Sequence, residues 1–156
     1  MIKQIPSKQL LEYLKDNPNC VLLDVRTEEE WNIDDKPNGE QIGLKTYFLS
    51  IQFADKSFNE NFLDELNKLN IKKDSEILTM CMGGARSQAA AELISKENYK
   101  CSNFSDGFLG NNELLVGKKI IYLVNNFFFK ITLNNFLGNL PSSNFSISTM
   151  SNPFEN

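Results

Sequence analysis

The sequence predicts an α/β fold: a parallel sheet flanked by helices on both faces. Two observations carry that expectation. Short runs such as Cys20-Val21-Leu22-Leu23 and Ile77-Leu78-Thr79-Met80 are largely apolar on consecutive positions rather than alternate ones, the pattern of strands buried on both sides. The stretches between such runs carry apolar residues at helical spacing, and parallel neighbours need crossovers of that length. Open sheets of this kind leave their ligand crevices beyond the carboxyl ends of the strands, so chemistry is sought in the loops that follow them.

In chain order, Ser7 is the expected N-cap of a first helix, since its hydroxyl can accept from an unpaired first-turn N–H. Leu10, Leu11 and Leu14 supply its apolar stripe, and Asn17-Pro18-Asn19 ends it. Cys20–Leu23 follows as a buried strand, with Asp24 and Arg26 flanking Val25 at its carboxyl end. These two charges are expected to pair with each other and to support a site rather than perform its chemistry. Glu28-Glu29-Glu30 reads as a solvated first helical turn, where carboxylates complement the positive end of the helix dipole. Trp31, the only tryptophan, is expected to pack on the sheet.

Residues 32–45 are polar and hold Pro37, Gly39 and Gly43, the composition of a loop. Thr46–Ser50 reads as a strand from its β-branched and aromatic content. Asp55-Lys56-Ser57 breaks the run, Phe62, Leu63, Leu66 and Leu69 define a second helical stripe, and Asn70–Asp74 turns into the Ile77 strand. Beyond that strand Ala89, Ala90, Leu93 and Ile94 recur on one helix face. Tyr99–Phe104 gives a last short strand, on which Cys101 is expected to be packing.

Composition excludes several functions. The formal charge is −4, from 16 basic and 20 acidic residues, and no basic stretch forms a nucleic-acid footprint. The first residues show no signal pattern. The three cysteines, Cys20, Cys81 and Cys101, cannot all pair and lack metal-type spacing, which fits a reducing, cytoplasmic setting. Histidine is absent, which excludes a Cys-His or Ser-His pair and any imidazole metal site. No metal and no cofactor is expected.

One stretch stands apart. Between the Ile77 strand and the helix after it lies Cys81-Met82-Gly83-Gly84-Ala85-Arg86-Ser87. Two glycines allow a tight curl and close approach of a ligand to the backbone. Such a loop turns N–H groups inward as an anion-binding nest at a helix start, and those donors, with Arg86 nearby, favour a thiolate at Cys81, placed at the mouth of the nest. Cys81 is then the nucleophile, the backbone of Met82, Gly83, Gly84, Ala85, Arg86 and Ser87 the cradle, Arg86 the residue that orients an anionic donor, and Ser87 the helix cap.

These residues resemble the active-site loop of single-domain rhodanese-like sulfurtransferases. Leu22-Leu23-Asp24-Val25-Arg26-Thr27-Glu28-Glu29-Glu30-Trp31 is similar to that family's second signature, and Ser105-Asp106-Gly107-Phe108 stands where the family has its last strand and a Gly-rich turn. The resemblance covers about residues 1–110, although the His-x-Pro-Gly-Ala turn of many members is missing from the 32–45 loop. It implies a rhodanese-like domain whose cysteine takes sulfur from a small anionic donor such as thiosulfate, keeps it as a persulfide and passes it to cyanide or a thiol. The alternatives are a non-catalytic interaction module of the same fold and a Cys-based phosphatase or arsenate reductase. Phosphatase loops of related type place five residues between Cys and Arg, whereas here four intervene, Met82 to Ala85.

Residues 111–156 differ in character: they hold five charged residues (Glu113, Lys118, Lys119, Lys130 and Glu155) and are rich in Asn and Phe. Their apolar runs fall short of the ~20 residues of a membrane span, so no membrane partner is expected. The Ser/Asn/Pro-rich end after Leu140 has the composition of a disordered segment. Limited proteolysis is expected to trim it first and leave a resistant core ending beyond Gly110; equal protection along the whole chain would show the tail to be integral to the fold.

Overall fold

Consecutive residues of each strand serve opposite faces of one sheet in the computed structural model, which describes residues 1–110; the expectation of a partly disordered tail over 111–156 lies outside them. The described strands are β1 (Lys3–Ile5), β2 (Val21–Asp24), β3 (Lys45–Phe48), β4 (Glu76–Met80) and β5 (Lys100–Phe104), and the helices are α1 (Leu10–Asp16), α2 (Glu28–Ile33), α3 (Phe62–Lys68) and α4 (Ala85–Lys96). All pairs are parallel, in the order β1-β5-β4-β2-β3. The α/β expectation of a parallel sheet between helices holds.

The pleat explains why the runs are apolar at consecutive positions. Leu23, Ile77 and Val25 join Phe62 and Leu66 of α3 and Ala90 and Ile94 of α4 in one cluster, while Leu22, Leu78 and Met80 join Leu10 and Tyr13 of α1 in another. Phe62 and Leu66 are completely enclosed, and burial of that kind contributes roughly 1.5–3 kcal/mol per side chain.

Four sequence expectations are corrected. β1 was not foreseen: it is three residues long with a single buried position, Ile5, and such a strand forms only because β5 offers an edge. Ser7 is not a side-chain cap; Ser7–Gln9 is a 3₁₀ turn, and the Ser7 N–H donates to Asp106 Oδ2 at 2.7 Å. The carboxylate that satisfies this helix start thus comes from 99 residues away. The 32–45 loop contains a 3₁₀ turn over Gly39–Ile42, and β3 begins at Lys45 and ends at Phe48. On α4 the buried face is Ser87, Ala90, Ala91 and Ile94, and Ala89 is exposed.

Candidate active site

Cys81 follows the last residue of β4, the middle strand of the described sheet, so strand order alone places it at the carboxyl edge. Gly84 is the N-cap of α4 and adopts a left-handed conformation, φ +90°. That turn directs the Gly84 N–H at Cys81 Sγ, 3.1 Å away, and Ser87 Oγ lies 3.3 Å from the same sulfur. A Cβ at Gly84 would collide with the Ser105 carbonyl, so only glycine fits this bend.

The turn after β5 clamps the loop. Phe108 N–H donates to Cys81 O at 2.7 Å and Leu109 N–H to Met82 O at 3.1 Å. Gly107, at φ +64°, makes this approach possible, since a Cβ there would lie 2.5 Å from Met82 O. The sequence stretches around Cys81 and Gly107 therefore form one unit, joined through backbone hydrogen bonds that no sequence pattern displays.

Asp24 and Arg26 pair as the sequence suggests. The Arg26 Nε donates to both Asp24 oxygens at 3.1 Å and Nη2 to Oδ2 at 2.9 Å, with both side chains wholly buried. Nη2 also reaches Asp35 O at 2.9 Å, while Nη1 is buried without a partner. The guanidinium stacks on the Phe108 ring, 3.8 Å from its centroid. This pair supports the loop from behind, through the residue whose N–H holds Cys81. Trp31 packs edge-on against Phe48 of β3.

Two expected placements change. Cys81 is only 1 % exposed, so it sits beneath the loop rather than at its mouth. Ser87 is not the cap; it is buried on the inner face of α4 and turned toward the sulfur. Of the expected backbone cradle, only the Gly84 N–H is directed at Sγ among the described residues. Met82 is half-buried, and Gly83 and Ala85 are exposed.

Arg86 has a partner to which the sequence did not point. Both its Nη nitrogens bond Glu30, at 2.7 and 2.6 Å, which ties α4 to α2. Glu30 is therefore not a solvated carboxylate: it also accepts from Thr27 N–H at 2.9 Å while Thr27 Oγ1 accepts from Glu30 N–H, a capping box. Burial pushes Glu30 up, but the Arg86 and Thr27 hydrogen bonds and the charge of Arg86 outweigh it and hold the carboxyl below its ordinary 4.5. Arg86 in turn is raised, chiefly by its hydrogen bonds to Glu30 and against desolvation, with a further contribution from the charge of Cys81. A lowered folded-state value stabilises above the unfolded one and loses that contribution as the pH falls through the folded value. The stability gap between wild type and Glu30→Gln is thus expected at neutral pH and to close as the pH drops below 4.5. Thermal melts across that range check it; a gap that does not change with pH would show that the carboxylate charge contributes nothing.

Asn103 escaped the sequence reading. It is buried on β5 and accepts from Ser87 Oγ at 2.7 Å. The available signal was an amide inside a predicted strand, since an amide buried there demands partners.

The other thiols sit where burial disfavours ionisation. Burial pushes Cys20 up to about 12, helped by the charge of Glu76, and the same two causes push Cys101 to about 12. A thiol titrating there is ionised to roughly one part in 10⁵ at neutral pH, and the thiolate is the nucleophile. Iodoacetamide is expected to label Cys81 before either; peptide mapping that finds Cys20 or Cys101 labelled first would contradict this. Among the described residues no cluster of ligands could hold a metal ion, and no helix is long and apolar enough to cross a membrane.

The chain is similar to several known proteins. The "Uncharacterized protein RP600" of Rickettsia prowazekii is 40 % identical over 121 residues, covering 72 % of this chain and 89 % of its own length. The "Uncharacterized protein RC0915" of Rickettsia conorii is 40 % identical over 120 residues, covering 72 % and 88 %. The crystal structure of Rv0390 from M. tuberculosis superimposes with a TM-score of 0.61 at 34 % identity, over 70 % of this chain and 81 % of that one. A rhodanese-like domain protein from Staphylococcus aureus shares the fold, with a TM-score of 0.50 at 22 % identity over 69 % and 88 % of the two chains. The family model for the rhodanese-like domain matches residues 7–113, more than half of the sequence, and the chain belongs to the rhodanese-like family.

Proposed function

We propose that the protein is a sulfurtransferase that carries sulfur as a persulfide on Cys81. One observation carries the reading: a cysteine at the carboxyl end of the middle strand faces a backbone N–H at 3.1 Å and a hydroxyl at 3.3 Å. Charge-assisted donors of this kind favour a sulfur anion. The Cys81 thiolate attacks the outer sulfur of thiosulfate, the sulfur–sulfur bond of the donor breaks, and sulfite leaves with the bonding pair. The terminal sulfur of the persulfide then carries the charge, within reach of the same loop. Cyanide or a thiol attacks that sulfur, takes it away and regenerates the Cys81 thiolate. Arg86 adds positive charge beside the loop, with one N–H of each Nη nitrogen bonded to Glu30.

A thiosulfate-to-cyanide assay on the purified protein tests the reading, with thiocyanate as the readout. The second reading, a non-catalytic interaction module, draws on the 1 % exposure of Cys81. A folded protein that never acquires sulfur would favour the module.

A further inference from the structure

We propose that Asn103 is a positioning residue for Cys81, acting through the hydroxyl of Ser87. The orientation of the Asn103 amide is fixed by its partners. Nδ2 donates to the Gly84 carbonyl at 3.1 Å and to Gln4 Oε1 at 2.8 Å. A backbone carbonyl only accepts, so the NH₂ must face it and Oδ1 must face Ser87. Gln4 in turn donates to Gln88 Oε1 at 2.6 Å, and Gln88 to Glu92 Oε1 at 2.6 Å. A polar chain thus anchors the buried amide to the exposed side of α4.

Ser87 has one proton and three acceptors in reach: Asn103 Oδ1 at 2.7 Å, Gly84 O at 3.1 Å and Cys81 Sγ at 3.3 Å. The Gly84 carbonyl has two lone pairs, and Gln88 N–H at 3.0 Å and Asn103 Nδ2 already fill them. The serine proton is left with two destinations. While the sulfur is neutral, the nearer amide oxygen holds it. When the sulfur is charged, a charge-assisted bond to it outcompetes a neutral amide. Asn103 therefore closes the unproductive acceptor and supplies a resting place from which the proton turns to the sulfur. Without the amide, a lone pair of Gly84 O opens and the hydroxyl turns back onto its own helix, as serines at such positions do.

The assignment rests on Cys81 being the reactive sulfur, not on the identity of its donor. The test reads the ultraviolet absorbance of the Cys81 thiolate at neutral pH, as the difference from Cys81→Ser, together with the rate of alkylation by iodoacetamide. Neither needs thiosulfate, so a protein that fails to turn over thiosulfate still tests Asn103. Ser87→Ala and Asn103→Ala are each expected to lower the alkylation rate roughly tenfold, the loss of one hydrogen bond to a charged group. Ser87→Thr, which keeps the hydroxyl, should restore it. The double variant should be no slower than Ser87→Ala alone, because Asn103 acts only through Ser87. Full additivity, or an Asn103→Ala protein of wild-type rate, would overturn the assignment. If Asn103→Ala does not fold, Gln4→Ala removes the outer partner of the same amide at an exposed position. It should slow alkylation a few-fold in the wild-type background and not at all in Ser87→Ala; a wild-type rate in the first overturns the proposal.

Discussion

Incubation with thiosulfate is expected to leave one additional sulfur atom on the wild-type protein and none on Cys81→Ser. Intact-protein mass spectrometry reads the adduct directly, and cyanide should remove it. The substitution deletes the only sulfur that the loop addresses, so thiocyanate formation should fall to the uncatalysed rate. The fold should survive. A serine hydroxyl at this buried position meets the Gly84 N–H and the Ser87 hydroxyl that now face the thiol, and a satisfied buried hydroxyl costs about 1 kcal/mol or less. Phosphate-ester hydrolysis should be absent, because four residues between Cys81 and Arg86 make a small ring. Robust phosphatase turnover, or a thiosulfate-derived sulfur that persists in Cys81→Ser, would defeat the sulfurtransferase reading.

Asp24→Asn is expected to destabilise the protein by about 3–5 kcal/mol, because it leaves the charge of Arg26 buried without its counter-ion. The guanidinium already has one orphaned nitrogen, Nη1, and no exposure to water. A domain of this size is stable by only about 5–15 kcal/mol in all, so the melting temperature should drop by more than ~10 °C. The damage should also reach the site: Arg26 stacks on Phe108, and Phe108 N–H holds the Cys81 carbonyl. Sulfur loading by the residual folded protein should therefore be slower as well. Calorimetry that finds Asp24→Asn within about 1 kcal/mol of wild type would show that the pair does not gain from its buried charge.

Much of this protein is legible in one dimension. The apolar runs at Leu22–Leu23 and Ile77–Met80 announce a doubly covered parallel sheet, because a strand with two buried faces cannot alternate. The loop from Cys81 to Ser87 announces itself through Gly84, since a left-handed turn and a close approach select that residue. The pairing of Asp24 with Arg26 follows from two charges two positions apart at a buried strand end.

What tertiary structure alone decided lies between segments distant in sequence. Asp106 supplies the acceptor for the first helix turn, Glu30 claims Arg86, and Gly107 lets the turn after β5 grip Met82. The burial of Cys81 belongs here too: the loop was predicted to hold the thiol at its mouth, and the packed helices enclose it. Asn103 reaches Ser87 from a neighbouring strand, 16 positions away. The reason is physical. Periodicity and turn chemistry act over a few residues and leave a local trace, whereas a hydrogen bond across the sheet depends on strand order and register, which the sequence specifies only through the packing of the whole domain.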